Sequence, residues 1–169
     1  HKNKCEYTNK VLVTLHRREN HYQMEEWFNT INQLAKSNPK LNFILPLHPN
    51  PNVQKYKHVL THVNVIDPLS HLELIEILVK CKLVISDSGG LQEECTVLGT
   101  PCLTLRWNTE RPITLRKNGG ASVLVGNNIS RIREEYKNTL ELNRTPDRPK
   151  LWDGKTAERV LEAILKANK

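Results

Sequence analysis

The feature that most constrains the fold is a regular alternation between short apolar runs and segments with helical periodicity. Six aliphatic and β-branched runs, each long enough for one buried strand, lie at residues 10–15, 42–47, 63–66, 82–86, 101–105 and 121–125. Between them apolar residues recur every three or four positions, as at Met24, Trp27, Phe28 and Ile31. Strands that alternate with helices at this spacing form βαβ units. The chain is therefore predicted to be α/β: a Rossmann-like, doubly wound parallel sheet covered by helices on both faces.

The helical segments carry their own start and stop signals. Ser70 is a candidate N-cap for a helix over residues 72–79, and a short helix is predicted over residues 54–60. A further helix follows the two glycines at positions 89 and 90, and another covers residues 129–140. The closing helix, from Ala157 to Leu165, has a clean apolar stripe.

Length and composition place the chain in one class. Its 169 residues fit a single domain, since domains usually hold roughly 100–200 residues. No window approaches about 18 consecutive apolar residues, and no leader pattern argues for secretion, so a cytoplasmic protein without a membrane span is expected. The four cysteines show no metal or disulfide spacing, and the pair His58 and His62 lacks a third ligand. No metal site is predicted.

The chain is basic, with 25 Lys and Arg against 18 Asp and Glu and a formal net charge of +7. The positive residues are spread along the sequence, and the longest pure run is the pair Arg17 and Arg18. A basic, well-solvated surface explains this charge, and an anionic ligand such as a nucleotide is the second explanation. Sequence-specific binding of nucleic acid is not expected.

The strongest local motif is S-D-S-G-G-L-Q-E-E at residues 86–94, where a buried strand runs into two glycines and a helix. Gly89 and Gly90 allow positive φ and a close approach of a ligand to the backbone. The first N–H groups of the helix favour phosphate, Ser88 adds a hydroxyl, and Glu94 can accept from sugar hydroxyls. Alternatively these residues only make a tight turn and cap, with Glu93 and Glu94 complementing the helix dipole. The motif matches neither the dinucleotide fingerprint nor the Walker A loop.

Three further polar clusters also follow predicted strands. They are H-R-R-E-N at residues 16–20, L-H-P-N-P at residues 47–51 and T-E-R-P at residues 109–112. Each has a structural alternative: an exposed loop, a proline-shaped loop, or a pair between Arg111 and Glu110. Because parallel strands end at the same edge of a sheet, all four clusters are predicted to converge there. The residues alone therefore predict a crevice that binds a phosphorylated, sugar-bearing anion.

Together, L-H-R-R-E-N, L-H-P-N-P-N, S-D-S-G-G-L-Q-E-E and T-E-R-P closely resemble the C-terminal domain of non-hydrolysing UDP-N-acetylglucosamine 2-epimerases. The D-G-K-T-A start of the last helix, residues 153–157, fits as well. The resemblance implies one Rossmann-like half of a GT-B (glycosyltransferase-B) arrangement. It also implies interconversion of UDP-N-acetylglucosamine and UDP-N-acetylmannosamine by elimination and re-addition of UDP, without NAD, metal or other cofactor.

The resemblance assigns roles to the matching positions. His16 corresponds to a catalytic histidine, and Ser88, Gly89 and Gly90 correspond to the diphosphate-binding turn. Arg111 corresponds to an arginine on the diphosphate side of the site.

Glu94 corresponds to the acid that holds the uridine ribose. Arg17 and His48 correspond to positions near the sugar nucleotide, including a second, activating site of some bacterial members. This sequence departs from the family at Leu74, where many members place an aromatic residue against uracil.

The second departure is the N-terminal half of the family, which carries the partner carboxylates and is not in this chain. The 169 residues are accordingly expected to be a single UDP-binding domain, inactive by itself, whose partners are UDP, UDP-N-acetylhexosamines and the other half of the enzyme. A homodimer is expected for the full-length protein. The alternatives are half of a GT-B glycosyltransferase that uses a UDP-sugar, and a non-catalytic module that binds nucleotide sugars.

Overall fold

The computed structural model describes residues 8–126, 128–144 and 146–167. Within them a six-stranded, wholly parallel sheet has the order β3-β2-β1-β4-β5-β6. The strands are β1 (Lys10–Thr14), β2 (Asn42–Pro46), β3 (Asn64–Ile66), β4 (Leu83–Ser86), β5 (Cys102–Thr104) and β6 (Ser122–Leu124). The helices are α1 (Met24–Ser37), α2 (Pro51–Gln54), α3 (His71–Lys80), α4 (Gly89–Leu98), α5 (Ile129–Leu140) and α6 (Thr156–Ala167).

The strand order confirms the predicted doubly wound sheet. The chain moves outward from β1 to β3, then returns to the other side of β1 and moves outward again from β4 to β6. The point between β1 and β4 is therefore the topological switch point, where α/β folds open a crevice at the carboxyl ends of the strands. The fold thus predicts that a ligand site involves the segments that follow β1 and β4.

Helices cover both faces of the sheet, as the sequence pattern predicts. On one face, Val11 and Val13 of β1 pack in the same cluster as Trp27 of α1 and Ile132 of α5. On the other face, Leu12 packs in a smaller cluster built from α3 and α4. Three of the four cysteines are buried in that second cluster, at positions 81, 95 and 102, which confirms their reading as core residues. Cys5 lies outside the described residues.

The helix starts show where local sequence rules held and where they failed. Ser70 caps α3 in a reciprocal capping box with Glu73, as the sequence predicts. The single helix predicted over residues 54–60 is wrong. Helix α2 begins earlier, because Asn50 caps it through its side chain and Pro51 occupies the first turn, and a separate 3₁₀ turn covers Lys57–Val59.

The closing helix α6 forms as predicted, but its apolar stripe is not covered. No described residue of α6 is buried, and Val160, Leu161, Ile164 and Leu165 are each more than half exposed. Four neighbouring apolar side chains on one helix face form a patch of the kind that usually packs against another surface.

Among the residues that the structure describes, none of the helices combines the length and the apolar character needed to cross a membrane. The same residues contain no cluster of three or more His, Cys, Asp or Glu side chains that could hold a metal ion.

Candidate functional site

The segments after β1, β2 and β4 meet in one cavity of about 320 Å³ at the carboxyl edge of the sheet. His16, His48 and Ser88 line it together. The ends of β1 and β4 are joined by a hydrogen bond of 2.7 Å between the Thr14 and Ser86 hydroxyls. The predicted convergence of these three clusters is therefore present in the fold.

The rest of the cavity wall is apolar apart from Thr14. It includes Pro68, Leu69 and Leu74, and Leu91 of α4. Leu74 thus offers this cavity an aliphatic surface and no aromatic ring.

A buried carboxylate that the sequence analysis gave no role organises the segment after β1, residues 15–20, which we call the β1 loop. Asp87 is fully buried and accepts hydrogen bonds from the backbone N–H groups of His16 at 3.1 Å and Arg17 at 2.9 Å. The side-chain amide of the buried Asn20 donates to the same carboxylate at 3.0 Å. Asp87 therefore fixes the backbone that presents His16 and Arg17.

The two cavity histidines are stacked on each other. Their ring centroids lie 5.7 Å apart and the ring planes differ by 13°. The Nδ1 atom of His16 lies 3.3 Å from Asp87 Oδ1, whereas the Nδ1 atom of His48 accepts a hydrogen bond of 3.1 Å from the Asn50 backbone. The Arg17 side chain turns toward Glu19, 3.4 Å away. One imidazole thus faces an acceptor and the other faces a donor.

The glycine turn opens helix α4 directly. Ser88 is the N-cap, and its hydroxyl accepts from the Leu91 N–H at 3.5 Å. Gly89 and Gly90 are the first residues of α4, and neither uses the positive φ that glycine allows. An added Cβ at Gly89 would lie 2.5 Å from Arg111 Nη1, at the end of a flexible side chain. At Gly90 the nearest atom would be 3.9 Å away.

Arg111 lies over the start of α4, held between two carboxylates. Its Nε atom is 3.1 Å from Glu93 Oε1, and its Nη1 atom pairs with Glu110. Glu110 is also 2.9 Å from Arg106. A hydrogen bond from its own backbone N–H and one from Arg106 lower the pKa of Glu110 to about 2. The cluster therefore joins two guanidinium groups next to the first turn of a helix, which is a favourable place for an anion.

The segment after β5, residues 105–111, which we call the β5 loop, also depends on a buried residue outside the predicted site. The side-chain oxygen of Gln92 accepts from the hydroxyls of Thr109 at 3.0 Å and Thr114 at 3.1 Å. The Arg111 N–H in turn donates to the Thr109 hydroxyl at 3.1 Å. Gln92 is fully buried, and its Nε2 atom has no partner among the described residues.

Glu94 stands apart from the histidine cavity. It lies farther along α4 and pairs with His71 at 2.9 Å. It also lines a neighbouring cleft of about 410 Å³, whose wall includes Ile75 of α3 and Trp152. The structure thus brings most predicted site residues to one edge, with Glu94 at its border.

The comparisons with known proteins decide the family. A family model described as UDP-N-acetylglucosamine 2-epimerase matches residues 1–165. The chain belongs to the UDP-N-acetylglucosamine 2-epimerase family. An epimerase of this family from Neisseria meningitidis serogroup A is 39% identical over 136 residues, which cover 78% of this chain and 36% of that protein. The epimerase from Methanococcus maripaludis is 32% identical over 95% of this chain and 47% of its own length.

Solved structures give the same result. The Neisseria meningitidis epimerase bound to UDP-GlcNAc superposes with a TM-score of 0.80 at 35% identity, covering 94% of this chain and 45% of that one. The Methanocaldococcus jannaschii epimerase in complex with UDP-GlcNAc and UDP superposes with a TM-score of 0.78 at 29% identity, covering 97% of this chain and 47% of that one. The chain therefore spans less than half the length of its relatives in the epimerase family.

The fold is that of one Rossmann-like half of a GT-B arrangement. A heptosyltransferase from Escherichia coli superposes with a TM-score of 0.57 at 18% identity, covering 81% of this chain and 45% of that one, a likeness that extends to the fold alone. The glycosyltransferase alternative consequently gains no support beyond the shared architecture.

Proposed function

We propose that this chain is the UDP-binding half of a UDP-N-acetylglucosamine 2-epimerase. The observation that carries the proposal is the meeting of His16, His48 and Ser88 in one cavity, beside a helix start that Arg111 covers. Such a site offers a proton-transfer group next to an anion-binding group, which an elimination of UDP requires.

Each candidate residue has one role in the proposed reaction. The first N–H groups of α4, with Ser88 and Arg111, hold the diphosphate and stabilise the charge that develops on it as the C1–O bond breaks. Glu94 accepts from the ribose hydroxyls. His16 exchanges a proton near the sugar, and Arg17 and His48 lie close to the sugar nucleotide. Loss of UDP from C1 together with the proton of C2 leaves 2-acetamidoglucal. UDP then adds back to C1 and a proton returns to the opposite face of C2, which gives the epimer with no net oxidation and no cofactor in the proposed reaction.

The other half of the enzyme is the proposed partner of this chain. The exposed apolar stripe of α6 supports a further packing surface, and the chain covers under half of its relatives. Inversion at C2 needs a proton removed from one face and returned to the other, so groups on the far side of the sugar are required. A homodimer of the full-length protein and a cytoplasmic location remain predictions.

Calorimetric titration with UDP tests the binding half of the proposal. Replacing Glu94 or Arg111 by Ala should weaken binding by roughly 1.5–3 kcal/mol, the usual cost of a charge-assisted contact. Arg133→Ala is the matched control, because Arg133 lies on α5, paired with Gln33, and its loss removes the same charge elsewhere. Equal UDP affinity of all four proteins would refute the assignment.

Exchange of hydrogen for deuterium tests the part of the proposal that concerns catalysis. In deuterated water the chain alone should place no deuterium at C2 of UDP-N-acetylglucosamine, whereas the chain joined to a cognate N-terminal half should do so. Exchange by the chain alone would show that the proposed division of labour is wrong.

A further inference from the structure

The contact between Asp87 and the His16 ring is more specific than support of a loop requires. The backbone N–H groups of the β1 loop and the Asn20 amide already bind the carboxylate, mainly through Oδ2. Oδ1 lies 3.3 Å from the ring nitrogen Nδ1 of His16. Asp87 is fully buried, while 42% of the His16 side chain is exposed toward the cavity. A buried carboxylate, Asp87, thus lies next to the His16 ring, which is part of the cavity wall.

A hydrogen bond across this distance requires one tautomer of His16. A carboxylate only accepts hydrogen bonds, so a neutral imidazole that binds it through Nδ1 must carry its hydrogen on that atom. The other nitrogen, Nε2, is then the one with a free lone pair. The backbone N–H of His16 donates to the same carboxylate, and the Nδ1 atom of the ring lies within ion-pair distance of it, so the Nδ1 side of the ring faces Asp87.

The stacked partner is held in the opposite state. The Asn50 N–H donates to His48 Nδ1, so in neutral His48 the hydrogen is on Nε2. The two stacked rings, 5.7 Å apart, therefore face groups of opposite kind at Nδ1: a carboxylate oxygen at His16 and a backbone N–H at His48. The two histidines are not interchangeable, and only His16 has a buried carboxylate partner.

We propose that Asp87 is a positioning residue for His16. By accepting the Nδ1 hydrogen it fixes the ring orientation and leaves Nε2 as the atom that exchanges a proton with the sugar nucleotide. The role of Nε2 rests on the function proposed above; the tautomer does not. In the proposed reaction Nε2 takes or gives one proton. The hydrogen on Nδ1 stays on the His16 ring throughout and is donated to Asp87.

Nitrogen-15 NMR of the histidine side chains in this chain measures the tautomer directly. We expect His16 as the Nδ1–H form and His48 as the Nε2–H form at a pH where both rings are neutral, with signals assigned from His16→Gln and His48→Gln. This measurement needs no Asp87 variant and no activity. Observation of His16 as the Nε2–H form would overturn the proposal.

Asp87→Asn tests the cause. An amide can donate to Nδ1, so the variant should shift His16 toward the Nε2–H form while His48 is unchanged. The matched control is Asn20→Ala, which removes another hydrogen bond of the same carboxylate without touching the ring. If Asn20→Ala shifted the His16 tautomer as far as Asp87→Asn, the carboxylate would merely support the loop and the proposal would be wrong.

Kinetics of the enzyme that carries this chain test the consequence. For Asp87→Asn we expect kcat to fall by up to roughly 10⁴-fold, the loss found when a carboxylate that orients a catalytic imidazole becomes an amide, with KM changed less than about threefold. If His16 had the Nδ1–H tautomer but the enzyme did not epimerise its substrate, the proposed function would be refuted, while the orientation of His16 by Asp87 would stand. An unchanged kcat in an epimerase whose His16 had switched tautomer would refute the positioning role.

Discussion

The β1 loop and the β5 loop bring candidate site residues to the same edge of the sheet, but the protein holds them in different ways. The Asp87 carboxylate binds the β1 loop through backbone N–H groups and the Asn20 amide. The Gln92 amide oxygen binds the β5 loop through the Thr109 hydroxyl, and it also accepts from the Thr114 hydroxyl just beyond the loop. Both anchors are fully buried and both belong to the segment formed by the end of β4 and the start of α4.

The two modes of anchoring suit the two proposed roles, which are proton transfer for the β1 loop and anion binding for the β5 loop. Hydrogen bonds to a charged acceptor are roughly twice as strong as neutral ones, so the β1 loop is held more firmly. Proton transfer depends on accurate placement of His16, which a firm loop provides. Arg111 of the β5 loop, in contrast, is paired with the half-exposed Glu93 and with Glu110, and it can turn from them to an anion. The β1 loop therefore holds His16 in one place, whereas the β5 loop leaves Arg111 able to exchange its carboxylate partners for a bound anion.

The largest expected effect separates the two loops by function. In the enzyme that joins this chain to its N-terminal half, His16→Ala should lower kcat by roughly 10²–10⁴-fold with little change in UDP affinity. Arg111→Ala should mainly weaken UDP binding. Steady-state kinetics and calorimetry on the same preparations check both. If each variant changed kcat and affinity alike, the division between the loops would be wrong.

The second effect concerns the two anchors. Asp87→Ala should reduce the free energy of unfolding by about 3–5 kcal/mol, since it leaves the buried Asn20 amide and two partly buried backbone N–H groups without their acceptor. Gln92→Met keeps the volume and removes the unpartnered Nε2 atom, but it also takes the acceptor from the Thr109 and Thr114 hydroxyls, so it should cost about 1–3 kcal/mol. Urea denaturation measures both values. A cost for Gln92→Met as large as that for Asp87→Ala would remove the distinction.

The third effect tests the contact between the β5 loop and α4. Gly89→Ala places a methyl group against Arg111, so the guanidinium must move, and UDP affinity should fall about tenfold, or 1.4 kcal/mol. Gly90→Ala has open space around its Cβ and should weaken UDP binding less. Titration calorimetry compares the two. A greater loss for Gly90→Ala would mean that direct approach of the ligand to the helix, and not Arg111, limits binding.

The smallest effect is a gain. Glu93 holds Arg111 in an exposed ion pair and adds a negative charge next to the proposed diphosphate position. Glu93→Gln should strengthen UDP binding about two- to fourfold, in keeping with the small energies of exposed ion pairs. The gain should shrink in high salt, because screening weakens the interaction that the variant removes. Weaker binding by Glu93→Gln would show that this carboxylate helps to hold the ligand.

Local sequence signals were enough to predict most of the fold. Six apolar runs gave six strands, and Ser70 gave the start of α3, because strand burial and helix capping depend on neighbours in the chain. The helix predicted over residues 54–60 was wrong because Asn50 and Pro51, which begin α2, were read only as parts of a loop. The convergence of three polar clusters followed from the parallel sheet alone.

The anchors of the site could not be predicted in the same way. Asp87 is 71 residues from His16 in sequence, and Gln92 is 17 residues from Thr109. Inside the glycine motif both looked like ordinary polar residues of a turn and a helix. Their roles depend on which loops the fold places above them. The one signal in the sequence is that both polar residues lie beside a glycine pair that directly follows an apolar strand.

The uncovered stripe of α6 also has a consequence for how the chain folds. A helix of 12 residues is marginal in water unless its apolar face is packed, because the cost of nucleation is spread over few hydrogen bonds. The backbone amides of α6 should therefore exchange with solvent much faster than those of α1, which buries Trp27 and Phe28. If the backbone amide hydrogens of α6 exchange slowly under some condition, another surface covers the helix under that condition.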